Sequence, residues 1–181
     1  MGLLKGLILI DGLSASTALP VTYWLAPNGG DGAGGTSGQP WATFTHAWTV
    51  MNGGDTLVVK DGTYPQRMVA SYGNGLPSGS AGHYTVVKAE HSGGVLIDGS
   101  NLAQWQTTMS IGQASYIQIE GLIFKANHSK ANVAAGDVSA SHHIKIIRCG
   151  FYDASETDNT SVTGCGSGSS YVLWEECWAW G

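Results

Sequence analysis

The chain is 181 residues long, with a net charge of −5, 12% charged residues, 43% hydrophobic residues and 27 glycines. That length suffices for one domain with a sizeable core, the apolar content excludes a disordered chain, and the charge is about half and the glycine about twice the usual share. An acidic balance with no Lys/Arg run excludes nucleic acid as a main partner, because neutralising phosphates needs a basic patch.

Residues 1–21 carry a short apolar run, Leu3, Leu4, Leu7, Ile8, Leu9 and Ile10, interrupted by Lys5 and ended by Asp11. With Ser16, Thr17 and Ala18 behind it, the run reads as a secretion signal or as an N-terminal structural strand, and both readings stay open. No run approaches the ~20 apolar residues of a membrane span. Residues 27–40 (PNGGDGAGGTSGQP) are nearly all turn formers and predict a surface loop. They are not a phosphate loop, since no Gly-Lys-Ser/Thr follows. Trp41, Phe44, Trp48 and Met51 recur at three- and four-residue steps and predict one amphipathic helix over 40–52, with Pro40 in its first turn and Gly53-Gly54 as its stop.

Beyond the helix the period changes to that of strands. Residues 56–60 (TLVVK), 84–88 (YTVVK) and 95–98 (VLID) are short, β-branched and bounded by Gly, Asn or Ser. The last third repeats itself in 116–126 (YIQIEGLIFKA), 143–153 (HIKIIRCGFYD) and 171–181 (YVLWEECWAWG). Ile117, Ile144 and Val172 align, as do Ile119, Ile146 and Trp174, then Leu122, Cys149 and Cys177, then Phe124, Phe151 and Ala179. The step is 27 residues from Ile117 to Ile144 and 28 from Ile144 to Val172. Such a period predicts a solenoid: an all-β, right-handed parallel β-helix in which like residues stack one coil above the next, about 4.8 Å apart. Between the inward isoleucines and Leu122 or Cys149 the alternation slips by one residue, which marks a corner. Cys149 and Cys177 read as small apolar core residues, and with Cys165 they form no metal or disulfide spacing. The helix is expected to cap the first coil, giving three parts: 1–21, 22–55 and the coils 56–181. No cap follows Trp180, so the polypeptide is expected to continue past Gly181.

Residues 23–29, 38–44, 54–64, 94–99 and 176–181 resemble the opening of right-handed β-helix proteins of the pectate-lyase-like superfamily. The resemblance covers about residues 22–181. It implies a carbohydrate-engaging protein, extracellular or on a virion surface, with polysaccharide as partner, and a polysaccharide lyase or glycoside hydrolase if it is an enzyme. Ca²⁺ is implied for a lyase, and a homotrimer for a virion or surface protein. Active grooves of such enzymes usually lie on central coils, so catalytic residues could fall beyond Gly181.

Lyase chemistry needs a Lys or Arg base beside clustered carboxylates. The candidates are Lys145 and Arg148 with Glu120 and Glu175; the plainer reading is solvated strand surface with cross-strand pairing. For hydrolase chemistry, Asp98, Asp137, Asp153 and Asp158 are available, and only stacking could pair them. No metal ligands are assigned: His142 and His143, adjacent on a strand, should point to opposite faces and share no ion. Asn127 and Asn159 fit the glycosylation pattern, with Asn127 expected at a left-handed turn position instead. The seven tryptophans read mainly as core, with sugar stacking as the alternative.

Overall fold

The computed structural model describes residues 19–70, 75–155 and 161–181. The reading of residues 1–21 falls almost wholly outside them, as do Asp158 and Asn159. The elements run β1 (Thr22–Leu25), α1 (Phe44–Val50), β2 (Thr56–Val59), β3 (Gly62–Tyr64), β4 (Met68–Ala70), β5 (Thr85–Ala89), β6 (Val95–Asp98), β7 (Thr107–Gly112), β8 (Ser115–Glu120), β9 (Leu122–Lys125), β10 (Ala134–Ser139), β11 (His142–Ile147), β12 (Gly150–Tyr152), β13 (Thr163–Cys165), β14 (Ser170–Glu175) and β15 (Trp178–Trp180).

The strands form three wholly parallel sheets: a six-stranded sheet β1-β2-β5-β8-β11-β14, a five-stranded sheet β15-β12-β9-β6-β3 and a four-stranded sheet β13-β10-β7-β4. Each coil visits all three sheets and returns one strand higher, which is a parallel β-helix. The repeat sets the register as expected: Ile144 pairs with Ile117 and Val172, and Ile146 with Ile119 and Trp174. Ile117, Ile119, Ile144 and Ile146 have no solvent exposure, and with Leu57, Val87, Leu122, Phe124 and Phe151 they fill the bore. Phe124 stacks on Phe151 at 5.2 Å. Cys149 belongs to this core, and burial pushes its thiol up to about 12, well away from reactivity.

The slip predicted before Leu122 and Cys149 is a left-handed residue. Gly121, Arg148 and Glu176 occupy it with φ of 76°, 52° and 52°. A second left-handed corner lies between the four- and six-stranded sheets at Gln113, Ala140 and Gly168, with φ of 55°, 46° and 80°. Two tight corners per coil thus recur at the repeat period, and longer loops join the five-stranded sheet to the four-stranded one.

The helix is shorter than expected and starts later. Thr43 caps it, its hydroxyl accepting from His46 N–H at 3.1 Å, so Pro40 stands outside the first turn. Trp41 precedes the helix, bridging to Leu25, yet still shares its buried face with Phe44, Trp48 and Met51. The capping role is borne out. In chain order α1 precedes β2 as β4 precedes β5, so the helix stands where an edge strand would, and Trp48 Nε1 donates to the Val69 carbonyl at 2.9 Å. The glycine-rich loop is anchored on this cap. Asp31 accepts from the Ala42 and Thr43 N–H groups at 2.9 and 3.0 Å, and Gly35 (φ 70°) lies flat on the Trp41 ring, where a Cβ would stand 2.5 Å from it.

The corner geometry predicts opposite effects at two equivalent positions. Ala140→Gly removes a left-handed alanine and is expected to be neutral or stabilising by up to about 1 kcal/mol, while Gly168→Ala costs about 1 kcal/mol. Urea unfolding midpoints measure both. A clear loss of stability in Ala140→Gly would contradict the corner assignment.

Candidate functional site

On the six-stranded sheet the residues between the inward isoleucines project outward. Lys145 lies in register between Gln118 and Leu173, and Ile147 between Glu120 and Glu175. Arg148 follows at the corner. Its guanidinium pairs with Glu120 on the coil below, and its other terminal nitrogen stands 3.5 Å from Glu176 Oε2 on the coil above. The Glu120 hydrogen bond and charge raise the Arg148 pKa further, which favours its charged form over the neutral form that a base needs. Glu120 also accepts from Gln118 Nε2 at 3.0 Å. Of the four candidates, then, Arg148 and Glu120 are brought together as an inter-coil tie. Glu175 stays exposed, and Lys145 turns onto the Tyr84 ring, 4.3 Å from its centroid.

An aromatic row borders this face. Tyr116 stacks on His143 at 4.5 Å, His143 on Tyr171 at 4.7 Å, and Tyr84 meets Tyr116 edge-on at 5.6 Å. Tyr116, His143 and Tyr171 all have left-handed φ, of 55°, 56° and 53°. Each such residue costs roughly 1 kcal/mol or more, and ring stacking returns a comparable amount. This bulge corrects the expectation for the two histidines. Regular strand alternation would part them, but the left-handed backbone at His143 brings their Nδ1 atoms to 2.9 Å.

The five-stranded sheet carries a second outward row: Asp98, Lys125, Tyr152 and Trp180, one per coil and in register. Lys125 Nζ is 3.7 Å and His128 Nδ1 3.6 Å from Asp153 Oδ2. Stacking thus places Asp98 and Asp153 around one lysine, whereas Asp137 lies on the four-stranded sheet beside Ser110 and Gly164. Burial alone would raise the Asp98 carboxyl. The Ser100 hydroxyl and N–H, with Lys125, outweigh it and hold the group below its ordinary range. Burial raises the Tyr152 phenol, against the pull of Lys125, so it remains a protonated donor. Trp180 stacks on both Tyr152 and Trp178, and Trp178 lies over Gly150, where a Cβ would stand 2.0 Å from the ring. Trp105, Trp178 and Trp180 are solvent-exposed, while Trp41 and Trp48 are core. Lys125, Tyr152 and His128 were not singled out in the sequence. The repeat register, which aligns Lys125 with Tyr152, could have found these two, and it carries no signal for His128.

Among the described residues, one group of three His, Cys, Asp or Glu side chains converges: Asp61, Glu90 and His91, exposed at the corners of adjacent coils, with ligand atoms within 4.8 Å of one another. His91 Nδ1 lies 2.9 Å from Asp61 Oδ2. Ca²⁺ takes six to eight oxygen ligands, so two carboxylates and an imidazole do not suit it. Asn127 is not at a left-handed position, a second correction. It is buried, its amide donating to the Leu102 carbonyl at 2.9 Å and its Oδ1 accepting from the Ser129 hydroxyl at 2.8 Å. The side chain itself makes the turn.

The depressed Asp98 carboxyl has a pH consequence. Its contribution is full above the ordinary carboxylate pKa and disappears as pH falls through the lower folded value. Asp98→Asn is therefore expected to lose on the order of 1 kcal/mol at neutral pH. That gap from the unsubstituted protein should close below about pH 4. Urea midpoints across pH test this, and a gap constant down to acid pH would contradict it.

No protein-family model matches the chain, and no curated protein does. Solved structures do. A pectate lyase, Pel9A, superposes with a TM-score of 0.56 at 19% identity, covering 88% of this chain and 48% of that one. A rhamnogalacturonan lyase gives 0.51 at 19% identity, over 88% and 51%. A GH136 lacto-N-biosidase from Eubacterium ramulus gives 0.63 at 13% identity, over 87% and 34%. The chain thus spans about half the length, or less, of these structures. Their common ground with it is the backbone path, and this chain shares their right-handed parallel β-helix fold.

Proposed function

We propose that this chain is part of an extracellular β-helix protein that engages an acidic polysaccharide by lyase-type chemistry, with the outer face of the six-stranded sheet as its track. The observation that carries the reading is the ladder on that face. Gln118 and Lys145 stand in register, Lys88 stands beside Glu120, and Glu175 follows two positions after Leu173, the partner of Lys145. Outward polar groups therefore recur once per coil, at about 4.8 Å, close to the length of one pyranose in a polymer. Lys145 faces a ring rather than a carboxylate, so its amino group is not tied up in an ion pair. The fold shared with pectate and rhamnogalacturonan lyases supports the same reading.

In such a reaction a base takes the proton α to the uronate carboxylate, and the glycosidic oxygen leaves with its bonding pair. The product carries a new C=C bond. Lys145 is the residue we assign as base, and Arg148 and Glu120 hold the neighbouring coils in place. Calcium would neutralise the uronate carboxylate in lyases that use it. The Asp61, Glu90 and His91 donors do not suit it, and no step here depends on them.

One observation favours a second reading, a non-enzymatic adhesive or virion-surface β-helix, commonly trimeric. Arg148 is closed between two carboxylates and Lys145 is packed on Tyr84, an arrangement that stabilises a surface as well as it binds a ligand.

The test is a panel of uronate polymers assayed for unsaturated-product absorbance and, in parallel, for retardation in affinity gels. Lyase action is expected on at least one acidic polymer, reduced roughly 100-fold or more in Lys145→Ala. Retardation without product would support the adhesive reading. Product formation unchanged in Lys145→Ala would remove Lys145 as the base.

A further inference from the structure

The two histidines that the backbone bulge brings together have a chemistry of their own. His142 Nδ1 and His143 Nδ1 are 2.9 Å apart, on the solvent side of β11. Two nitrogens each about 2.05 Å from one metal ion stand about 2.9 Å apart when they subtend a right angle, and about 3.3 Å at the tetrahedral angle. The observed 2.9 Å is that of the hydrogen-bonded pair, and it puts the two nitrogens within reach of the cis positions of a square-planar or octahedral ion once the His142 ring turns. We propose that His142 and His143 form a two-imidazole chelate for a tetragonal divalent transition metal of the Ni²⁺ or Cu²⁺ type, with water at the remaining positions.

The His143 ring is held in place before any ion arrives. The left-handed backbone at His143, φ 56°, turns its side chain to the side of His142. The His143 ring is clamped between Tyr116 and Tyr171, at 4.5 and 4.7 Å, with its plane within 18° of both. The His142 ring meets Tyr116 and His143 edge-on, at 5.7 and 5.1 Å. Without an ion, one Nδ1–H donates to the other Nδ1. With an ion, that proton moves to Nε2 of the same ring, so two neutral imidazoles bind with no net loss of protons. Rotation of the exposed His142 ring turns the two lone pairs from each other toward a common point. The site lies on a different corner from Asp61, Glu90 and His91, and its donors are nitrogen rather than carboxylate, which suits imidazole-seeking ions over calcium. The inference is independent of any action on polysaccharide.

Calorimetric titration of the full chain with NiCl₂ at neutral pH tests it. A single site is expected, weakened about 10-fold or more in His142→Asn and in His143→Phe. Phenylalanine keeps a ring between Tyr116 and Tyr171, so His143→Phe separates ligand loss from loss of the stack, and an unchanged thermal transition checks the fold. His91→Ala should leave the nickel affinity within roughly twofold. With Cu²⁺, electron paramagnetic resonance is expected to show coupling to two imidazole nitrogens. No nickel uptake, uptake unaltered in both histidine variants, or uptake lost only in His91→Ala would each overturn the proposal.

Discussion

Everything in this molecule depends on the lateral hydrogen bonding of one coil to the next. Parallel strands can only sit about 4.8 Å apart, so any residue on one coil has its counterpart at that distance on the next. Inside, this stacks Ile117 under Ile144 and Phe124 under Phe151, and apolar ladders result without long-range instructions. Outside, the same constraint lines up whatever the sequence supplies: an ion-pair tie through Arg148, a row of rings, a lysine between aspartates. The core is general to the fold, and the outer rows are where this chain is particular.

The constraint has a cost at the corners. Two turns per coil need left-handed backbone, and this chain places Gln113, Ala140, Arg148 and Glu176 there as well as glycine. A third left-handed position, at Tyr116, His143 and Tyr171, is a bulge within the strand. Ring stacking across coils offsets the backbone strain, and it has a functional corollary. Rings that stack on one another present mostly edges to solvent, so this row is a poor platform for a sugar face. Electrostatics follow the same logic, since Arg148 joins three coils through Glu120 and Glu176.

The histidine pair shows how a local backbone feature creates chemistry. Two adjacent residues on a flat strand cannot share a ligand, and two on a left-handed bulge can. The proposed polysaccharide track and the proposed metal chelate therefore stand on different features of one sheet: the first on its regular alternation, the second on its interruption.

From the sequence alone one could read the parallel solenoid, the repeat, the inward ladders and their register, because a 27- to 28-residue period with matched apolar residues admits few other folds. The strands Thr107–Gly112 and Ala134–Ser139 were not legible in it. Their mixed sequences, TTMSIG and AAGDVS, lack the β-branched run that marks residues 56–60 and 84–88, and neighbouring coils hold them in place. The helix boundary was misread because Trp41 has the right spacing for the helix but bridges to a strand. What only the tertiary structure decided is which outward groups meet. Asp98 reaches Lys125 and His142 reaches His143 through stacking and through a backbone bulge. The 27 residues from Asp98 to Lys125 equal the repeat step, whereas the approach of His142 to His143 leaves no mark in composition or spacing, since φ at a residue sets where its side chain points.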